Sequence, residues 1–136
     1  AQLKKLPRFI KARKMNFLIL KSDLKKYEKY LILPEAENKS DPSWFGFPIL
    51  VKKEAPFTRN EIVDYLEHNK IATRMLFGGN LTKQPAYLGI KSRIPGGLQN
   101  TDLVMGNLFW IGVYPGISRS MLTYIKNTLA DFFDKI

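Results

Sequence analysis

Apolar residues in this 136-residue chain cluster in short runs that are separated by helical patterns. Phe47-Pro48-Ile49-Leu50-Val51 and Leu108-Phe109-Trp110-Ile111-Gly112-Val113 have the length and composition of strands, as does the run over residues 71–77. No run approaches the roughly 18 apolar residues that cross a bilayer, so we expect no membrane-spanning segment and no membrane partner. A chain of this length has room for one core, so we predict a single domain over residues 1–136.

Helices are indicated by apolar stripes and by capping residues. A long Lys-rich helix is predicted over about residues 6–30, with a stripe formed by Leu6, Ile10, Phe17, Leu20, Leu24 and Tyr27. Thr58 and Glu61 have the spacing of a capping box, which predicts a second helix that ends near Asn69. A short helix is expected over residues 101–107, and Ser118 is expected to cap the last helix.

The order of these elements is helix, strand, helix, strand, a long loop with a short helix, strand and helix. It predicts an α+β fold with about three strands in a mostly antiparallel or mixed sheet and helices on one face. Pro48 predicts that its strand lies at an edge or carries a bulge there, because proline cannot donate a hydrogen bond to a neighbouring strand. The nearly all-apolar run over residues 108–113 predicts a strand that is buried on both faces.

The net charge of +10 is concentrated in the first helix. Residues 1–29 contain ten basic and two acidic residues, a surplus of eight. Because an apolar stripe runs along the same helix, we interpret the charge as a solvated face and expect no nucleic-acid partner. The alternative is a non-catalytic basic module that binds nucleic acid or another anionic surface.

Cysteine is absent, which excludes disulfides, thiolate zinc sites and a cysteine nucleophile, and agrees with the cytoplasmic location that we expect. No acidic or histidine cluster has metal-ligand spacing, so we predict no metal site. His68, the only histidine, is expected to be a surface residue at the end of the second helix. We predict no catalytic residue in this chain.

The loop after the strand of residues 71–77 contains the candidate substrate-binding residues, which are Arg74, Gly79, Asn80 and Gln84. An arginine at a strand end can hold an anionic oxygen, and an amide after two glycines can bind a sugar hydroxyl or keto oxygen. Surface or backbone roles are the alternatives for both. Phe77 and Tyr87 are interpreted as packing residues. The loop continues to residue 100, a length that usually indicates function or a partner surface.

Several motifs occur in order along nearly the whole chain, namely Trp44-Phe45-Gly46-Phe47-Pro48-Ile49, Ala55-Pro56-Phe57-Thr58-Arg59-Asn60-Glu61, Thr73-Arg74-Met75-Leu76-Phe77, Gly79-Asn80-Leu81, a Gln-Pro-x-Tyr element over residues 84–87, Asn100-Thr101-Asp102 and a Trp-x-Gly-Val-Tyr-Pro-Gly piece over residues 110–116. Together they resemble the lipopolysaccharide-biosynthesis dehydrases of the DegT sugar-aminotransferase superfamily, which act on a CDP-4-keto-6-deoxyhexose and remove its 3-hydroxyl. The Gln-Pro-x-Tyr element is shared more widely with nucleotide-sugar aminotransferases. Gly79-Asn80-Leu81 and the piece over residues 110–116 resemble the dehydrase branch.

The resemblance implies a fold-type-I enzyme that uses pyridoxal or pyridoxamine phosphate (PLP or PMP) and binds a nucleotide sugar. Such enzymes have a large cofactor-holding domain and a small C-terminal domain, and they form homodimers with active sites at the subunit interface. The chain would be the small domain, without the large domain and without a cofactor site of its own, so we expect it to be inactive alone. A reductase partner is possible in the parent enzyme, and a related aminotransferase domain is the alternative.

Overall fold

The computed structural model describes residues 2–136. Within them lie four α-helices, four strands and four short 3-10 helices. The helices are α1 (Leu6–Leu24), α2 (Arg59–His68), α3 (Gln99–Asn107) and α4 (Arg119–Phe133), and the strands are β1 (Leu31–Ile32), β2 (Gly46–Val51), β3 (Thr73–Met75) and β4 (Leu108–Gly112). The predicted α+β class is confirmed, and β1 adds a strand to the three expected.

The four strands form one sheet in the order β1-β2-β4-β3, and every neighbouring pair is antiparallel. The prediction that Pro48 marks an edge strand or a bulge is wrong, because β2 lies inside the sheet and pairs with β4 without a break in register. The sheet accommodates the proline because β1 is only two residues long and pairs with Leu50 and Val51. Pro48 therefore has a strand partner on one side only.

The core lies between one face of the sheet and α1, α2 and α4. Side chains alternate along β2 and β4, so that Phe47, Ile49, Phe109 and Ile111 are buried. The expectation that β4 is buried on both faces is wrong, since Leu108, Trp110 and Gly112 are only half-buried. The second face of the sheet therefore remains partly open to a ligand or another domain.

Helix α1 contributes only its C-terminal half to the core. Phe17, Leu20 and Leu24 are buried as predicted, whereas Leu6 is 47% exposed. The helix ends at Leu24 and a 3-10 turn follows, so it is shorter than predicted. No helix within residues 2–136 combines the length and the apolar character needed to cross a membrane.

Two predicted helix starts are confirmed by hydrogen bonds. The Thr58 side chain accepts the Glu61 backbone N–H, and the Glu61 carboxylate accepts the Thr58 backbone N–H at 2.7 Å, which completes the capping box of α2. The Ser118 hydroxyl accepts the Met121 N–H at 3.2 Å at the start of α4. These caps fix the helices that frame β3 and β4.

Candidate functional site

Strand β3 places Arg74 on the open face of the sheet. Arg74 stands directly opposite Trp110 in the antiparallel register, and Trp110 stands opposite Pro48, so the three side chains share one face. The Arg74 side chain is exposed, and its Nη1 donates to the carbonyl oxygen of Thr73 at 2.9 Å. It forms no direct ion pair with any of the residues that the structure describes. The pKa of the Glu67 carboxyl is lowered first by hydrogen bonds from Thr73 and also by the Arg74 charge. The remaining guanidinium N–H groups can therefore donate hydrogen bonds to an anionic ligand.

Phe77 projects from the end of this strand into solvent. Its side chain is 85% exposed, and its φ of 48° is unusual for a bulky residue. The Phe77 N–H donates to the carbonyl oxygen of Met75 at 2.8 Å, which closes a tight turn. The interpretation of Phe77 as a packing residue of this domain is therefore wrong, and Tyr87 is also 48% exposed. Strained, exposed residues of this kind occur often at ligand contacts.

Gly79 occupies a position that only glycine fills without strain. Its φ is 62°, and a Cβ atom there would lie 2.6 Å from Cγ of Met105. Gln84 stabilises the same turn, because its Nε2 donates to the carbonyl oxygen of Gly78 at 2.6 Å. Both residues were predicted to contact substrate, and the structure places them together in a compact turn directly after Phe77.

Asn80 is almost completely buried, with 2% of its surface exposed. Its Nδ2 donates to Oδ1 of Asp102 at 2.7 Å, and its Oδ1 accepts the N–H of Thr82 at 3.0 Å and the hydroxyl of Thr82 at 2.7 Å. The amide is thus engaged in internal hydrogen bonds. A contribution of Asn80 to ligand binding would come through the shape of the turn that it holds.

Asp102, in the first turn of α3, contacts the loop at two places. Besides Asn80, it binds Lys83, whose Nζ lies 2.9 Å from Oδ2. The hydrogen bond from Asn80, followed by that from Lys83, lowers the pKa of the Asp102 carboxyl below its usual range. The carboxylate therefore stays ionised at neutral pH. Asp102 belongs to the Asn100-Thr101-Asp102 motif, but the sequence assigns it no role of its own, because 22 residues separate it from Asn80.

A second signal that the sequence analysis missed is the charge of the segment around the loop. Between Glu67 and Asp102 there is no acidic residue, and five basic residues lie in this interval, namely Lys70, Arg74, Lys83, Lys91 and Arg93. All five are exposed. The basic surplus was assigned almost entirely to the first helix, yet this segment carries a local surplus of its own. An anionic ligand would be attracted here.

The aromatic ring of Phe45 extends the open face. Phe45 is 66% exposed, and its ring centroid lies 5.2 Å from that of Trp110. The indole Nε1 of Trp110 donates to the carbonyl oxygen of Met75 at 3.3 Å, which ties the indole to β3. The open face thus combines apolar rings with the Arg74 cation, a combination suited to a ligand with both polar and apolar parts.

The histidine and the helix starts do not form a cofactor site. His68 ends α2 on the surface, as predicted, with its Nδ1 2.7 Å from the carbonyl oxygen of Asp64. The starts of α2 and α4 are closed by side-chain caps, and the Asp102 carboxylate lies in the first turn of α3. None of these three starts offers an open cradle for the phosphate of PLP. Residues 2–136 contain no cluster of metal-ligating side chains.

Comparison with protein families identifies a match over residues 1–130 to the DegT/DnrJ/EryC1/StrS aminotransferase family. The chain is 47% identical over 133 residues to the lipopolysaccharide biosynthesis protein RfbH of Salmonella typhimurium, which covers 98% of the chain and 30% of that protein. It is 44% identical over 135 residues to the dTDP-4-dehydro-2,6-dideoxy-D-glucose 3-dehydratase of Saccharopolyspora spinosa, covering 99% and 29%. The chain thus spans about a third of the length of these relatives.

Solved structures share the fold. The Escherichia coli GDP-4-keto-6-deoxy-D-mannose-3-dehydratase with bound hydrated PLP superposes with a TM-score of 0.82 at 27% identity, covering 94% of the chain and 32% of that structure. An aminotransferase from Psychrobacter cryohalolentis superposes with a TM-score of 0.87 at 16% identity, covering 99% and 37%, and supports the fold alone.

Proposed function

Because the chain belongs to the DegT/DnrJ/EryC1/StrS aminotransferase family, we propose that it is the small C-terminal domain of a PLP-dependent nucleotide-sugar 3-dehydratase in deoxysugar and lipopolysaccharide biosynthesis. The family match and the identity to RfbH and to a dTDP-sugar 3-dehydratase support this function. The substrate in our proposal is a CDP-linked 4-keto-6-deoxyhexose, and the reaction removes its 3-hydroxyl. PLP or PMP would be held by the large domain, and the side-chain caps that close the starts of α2 and α4 support this assignment.

The role that we propose for this domain is to bind substrate at the end of β3. The single observation that carries it is the exposed Arg74 guanidinium, which has no ion-pair partner in residues 2–136 and lies in a segment without acidic residues. A nucleotide sugar has a diphosphate for which this cation is suited. Gly79, Asn80 and Gln84 shape the adjoining turn, and Phe77 offers an apolar surface beside it.

The assembly is part of the same proposal. We expect the full-length enzyme to be a cytoplasmic homodimer, with this domain contributing to an active site at the subunit interface. The half-open face around Trp110 supports a role in contacts with another domain or subunit. We also propose a reductase as a partner of the full-length enzyme.

The test uses the full-length enzyme with its cofactor and compares CDP-, GDP- and dTDP-linked 4-keto-6-deoxyhexoses. Arg74→Ala should lower kcat/KM for the preferred sugar by about tenfold to a hundredfold, the effect of losing a hydrogen bond to a charged group. Arg119→Ala is the matched control, because Arg119 is also exposed and forms no ion pair within residues 2–136.

Two results would contradict the proposal. Transfer of an amino group to the 4-keto carbon, with the 3-hydroxyl retained, would identify an aminotransferase. Equal kcat/KM for the Arg74→Ala variant and the parent, with Arg119→Ala also unchanged, would place the substrate contacts elsewhere.

A further inference from the structure

The loop that contains the candidate substrate residues is attached to the rest of the domain by a few contacts. Within it the regular elements are two 3-10 turns, Leu81–Lys83 and Pro85–Tyr87. Each hydrogen bond or ion pair that joins residues 78–97 to the other described residues ends on Asp102 or Met105. Since these two residues lie three positions apart on α3, a single face of that helix holds the loop.

Asp102 makes the stronger part of this attachment. Its two oxygens are divided between the two ends of a turn, with Oδ1 accepting from Asn80 at 2.7 Å and Oδ2 from Lys83 at 2.9 Å. Met105 adds a weaker contact through its sulfur, which accepts the Asn80 N–H at 3.3 Å. We refer to Asp102, Asn80 and Lys83 as the loop clasp.

We propose that Asp102 is a positioning residue, which holds the loop over residues 78–97 in the conformation that binds substrate. The inference rests on the proposed function, because it concerns the same substrate site. Asp102 need not touch the substrate. It acts through Asn80, which is buried, and thereby sets the position of the turn that follows Phe77.

The geometry explains why a carboxylate is required. An asparagine at position 102 could still accept the hydrogen bond from Asn80 through its one oxygen. Its NH2 group would then face the Lys83 ammonium, and two donors cannot bond to each other. Asp102→Asn should therefore keep the hydrogen bond from Asn80 and lose the contact with Lys83, which is half of the loop clasp. Asp102→Ala should remove both contacts.

The experiment measures loop order and kinetics in the full-length holoenzyme. Amide hydrogen exchange is followed over residues 78–97 for the parent, Asp102→Ala and Asp102→Asn, and KM and kcat are measured with the preferred nucleotide 4-keto sugar. Asp131→Ala is the matched control, because Asp131 is exposed on α4 and forms no ion pair within residues 2–136.

For Asp102→Ala we expect exchange in residues 78–97 to accelerate about tenfold, while exchange in β2 and β4 stays at the parent rate. KM should rise about tenfold with a smaller change in kcat, since binding depends on the loop's position. Asp102→Asn should give intermediate values for both quantities, and Asp131→Ala should match the parent. A purely structural role would change exchange throughout the sheet and leave KM unaltered in the folded fraction.

The proposal is overturned if Asp102→Ala leaves either loop exchange or KM at the parent value. If Asp102→Ala does not fold, Lys83→Met removes one half of the loop clasp from the loop side, and the same two readouts decide. If the parent enzyme turns over none of the nucleotide sugars, the proposed function fails. Even in that case, unchanged hydrogen exchange over residues 78–97 in Asp102→Ala would refute the proposed role of the loop clasp, because this readout does not depend on turnover.

Discussion

Replacing Leu20 by alanine is a direct test of how α1 packs. Leu20 is 1% exposed and lies one turn from both Phe17 and Leu24, which are also buried. Leu18, two positions earlier on the same helix, is 59% exposed. The two substitutions remove the same atoms from the same helix, so the difference between them isolates burial.

The expected magnitude follows from the burial of Leu20. Removing three carbons from the core costs about 2.4 kcal/mol at about 0.8 kcal/mol each. A residual cavity of about 50 Å³ adds about 1.2 kcal/mol at about 24 cal/mol per Å³. Leu20→Ala should therefore lower the free energy of unfolding by about 3–4 kcal/mol, a large part of the 5–15 kcal/mol typical of a domain. Leu18→Ala should change it by no more than about 0.5 kcal/mol.

The assay is urea unfolding of the domain of residues 1–136, followed by circular dichroism, with the midpoint and the slope fitted separately. Using residues 1–136 alone matters, because the large domain that we propose for the full-length enzyme would be able to cover Leu18. The reasoning is refuted if Leu20→Ala costs less than about 1 kcal/mol, or if Leu18→Ala costs as much as Leu20→Ala. Either result would mean that α1 presents a different face to the sheet.

Two further predictions concern the Tyr27 hydroxyl and the pH dependence that arises from three carboxyl groups. Tyr27→Phe should leave the urea midpoint unchanged or raise it, by up to about 1 kcal/mol of stability, because the buried Tyr27 hydroxyl makes no hydrogen bond of good geometry within residues 2–136. The neighbouring Lys26 ammonium, whose pKa the Tyr27 hydroxyl raises, is the candidate partner, so a clear loss of stability would identify that contact. Hydrogen bonds lower the pKa of the carboxyls of Glu61, Glu67 and Asp102 in the folded protein. Their stabilising contribution is therefore present at neutral pH and is lost as the pH falls through the lowered values, so urea midpoints should decline as the pH falls below about 5. Thr58→Ala, which removes one of Glu61's donors, should weaken that decline, and an unchanged pH profile would contradict the assignment.

The elements that sequence reasoning found are those determined by residues close together in the chain. Thr58 and Glu61 are three residues apart, so their capping box forms within one helical turn. The Ser118 cap of α4 also forms within one turn, with Met121. The apolar stripe of α1 likewise consists of residues three or four positions apart, such as Leu20 and Leu24. The α+β class followed from these local patterns, since each element must bury its apolar side against another.

Part of the candidate site could also be anticipated from local sequence. Arg74 lies on the strand that precedes two glycines, and the structure exposes it there. The prediction that Asn80 contacts substrate rests on its amide chemistry and largely on the family resemblance at this position, and it stays a prediction. The structure shows its amide occupied by Asp102 and Thr82, a pairing that residue type alone does not reveal.

What only the tertiary structure decided depends on residues far apart in the sequence. The two residues of β1 form a strand because Leu50 and Val51 pair with them, and no pattern within two residues predicts such pairing. Likewise, Asp102 becomes part of the loop clasp only when α3 packs beside the turn after β3. The sequence by itself determined the four helices, the three longer strands and the apolar sides of the helices, because those properties arise from neighbouring residues. The exposure of Phe77 and the contacts of Asp102 arise from the docking of those segments, which sequence patterns do not encode locally.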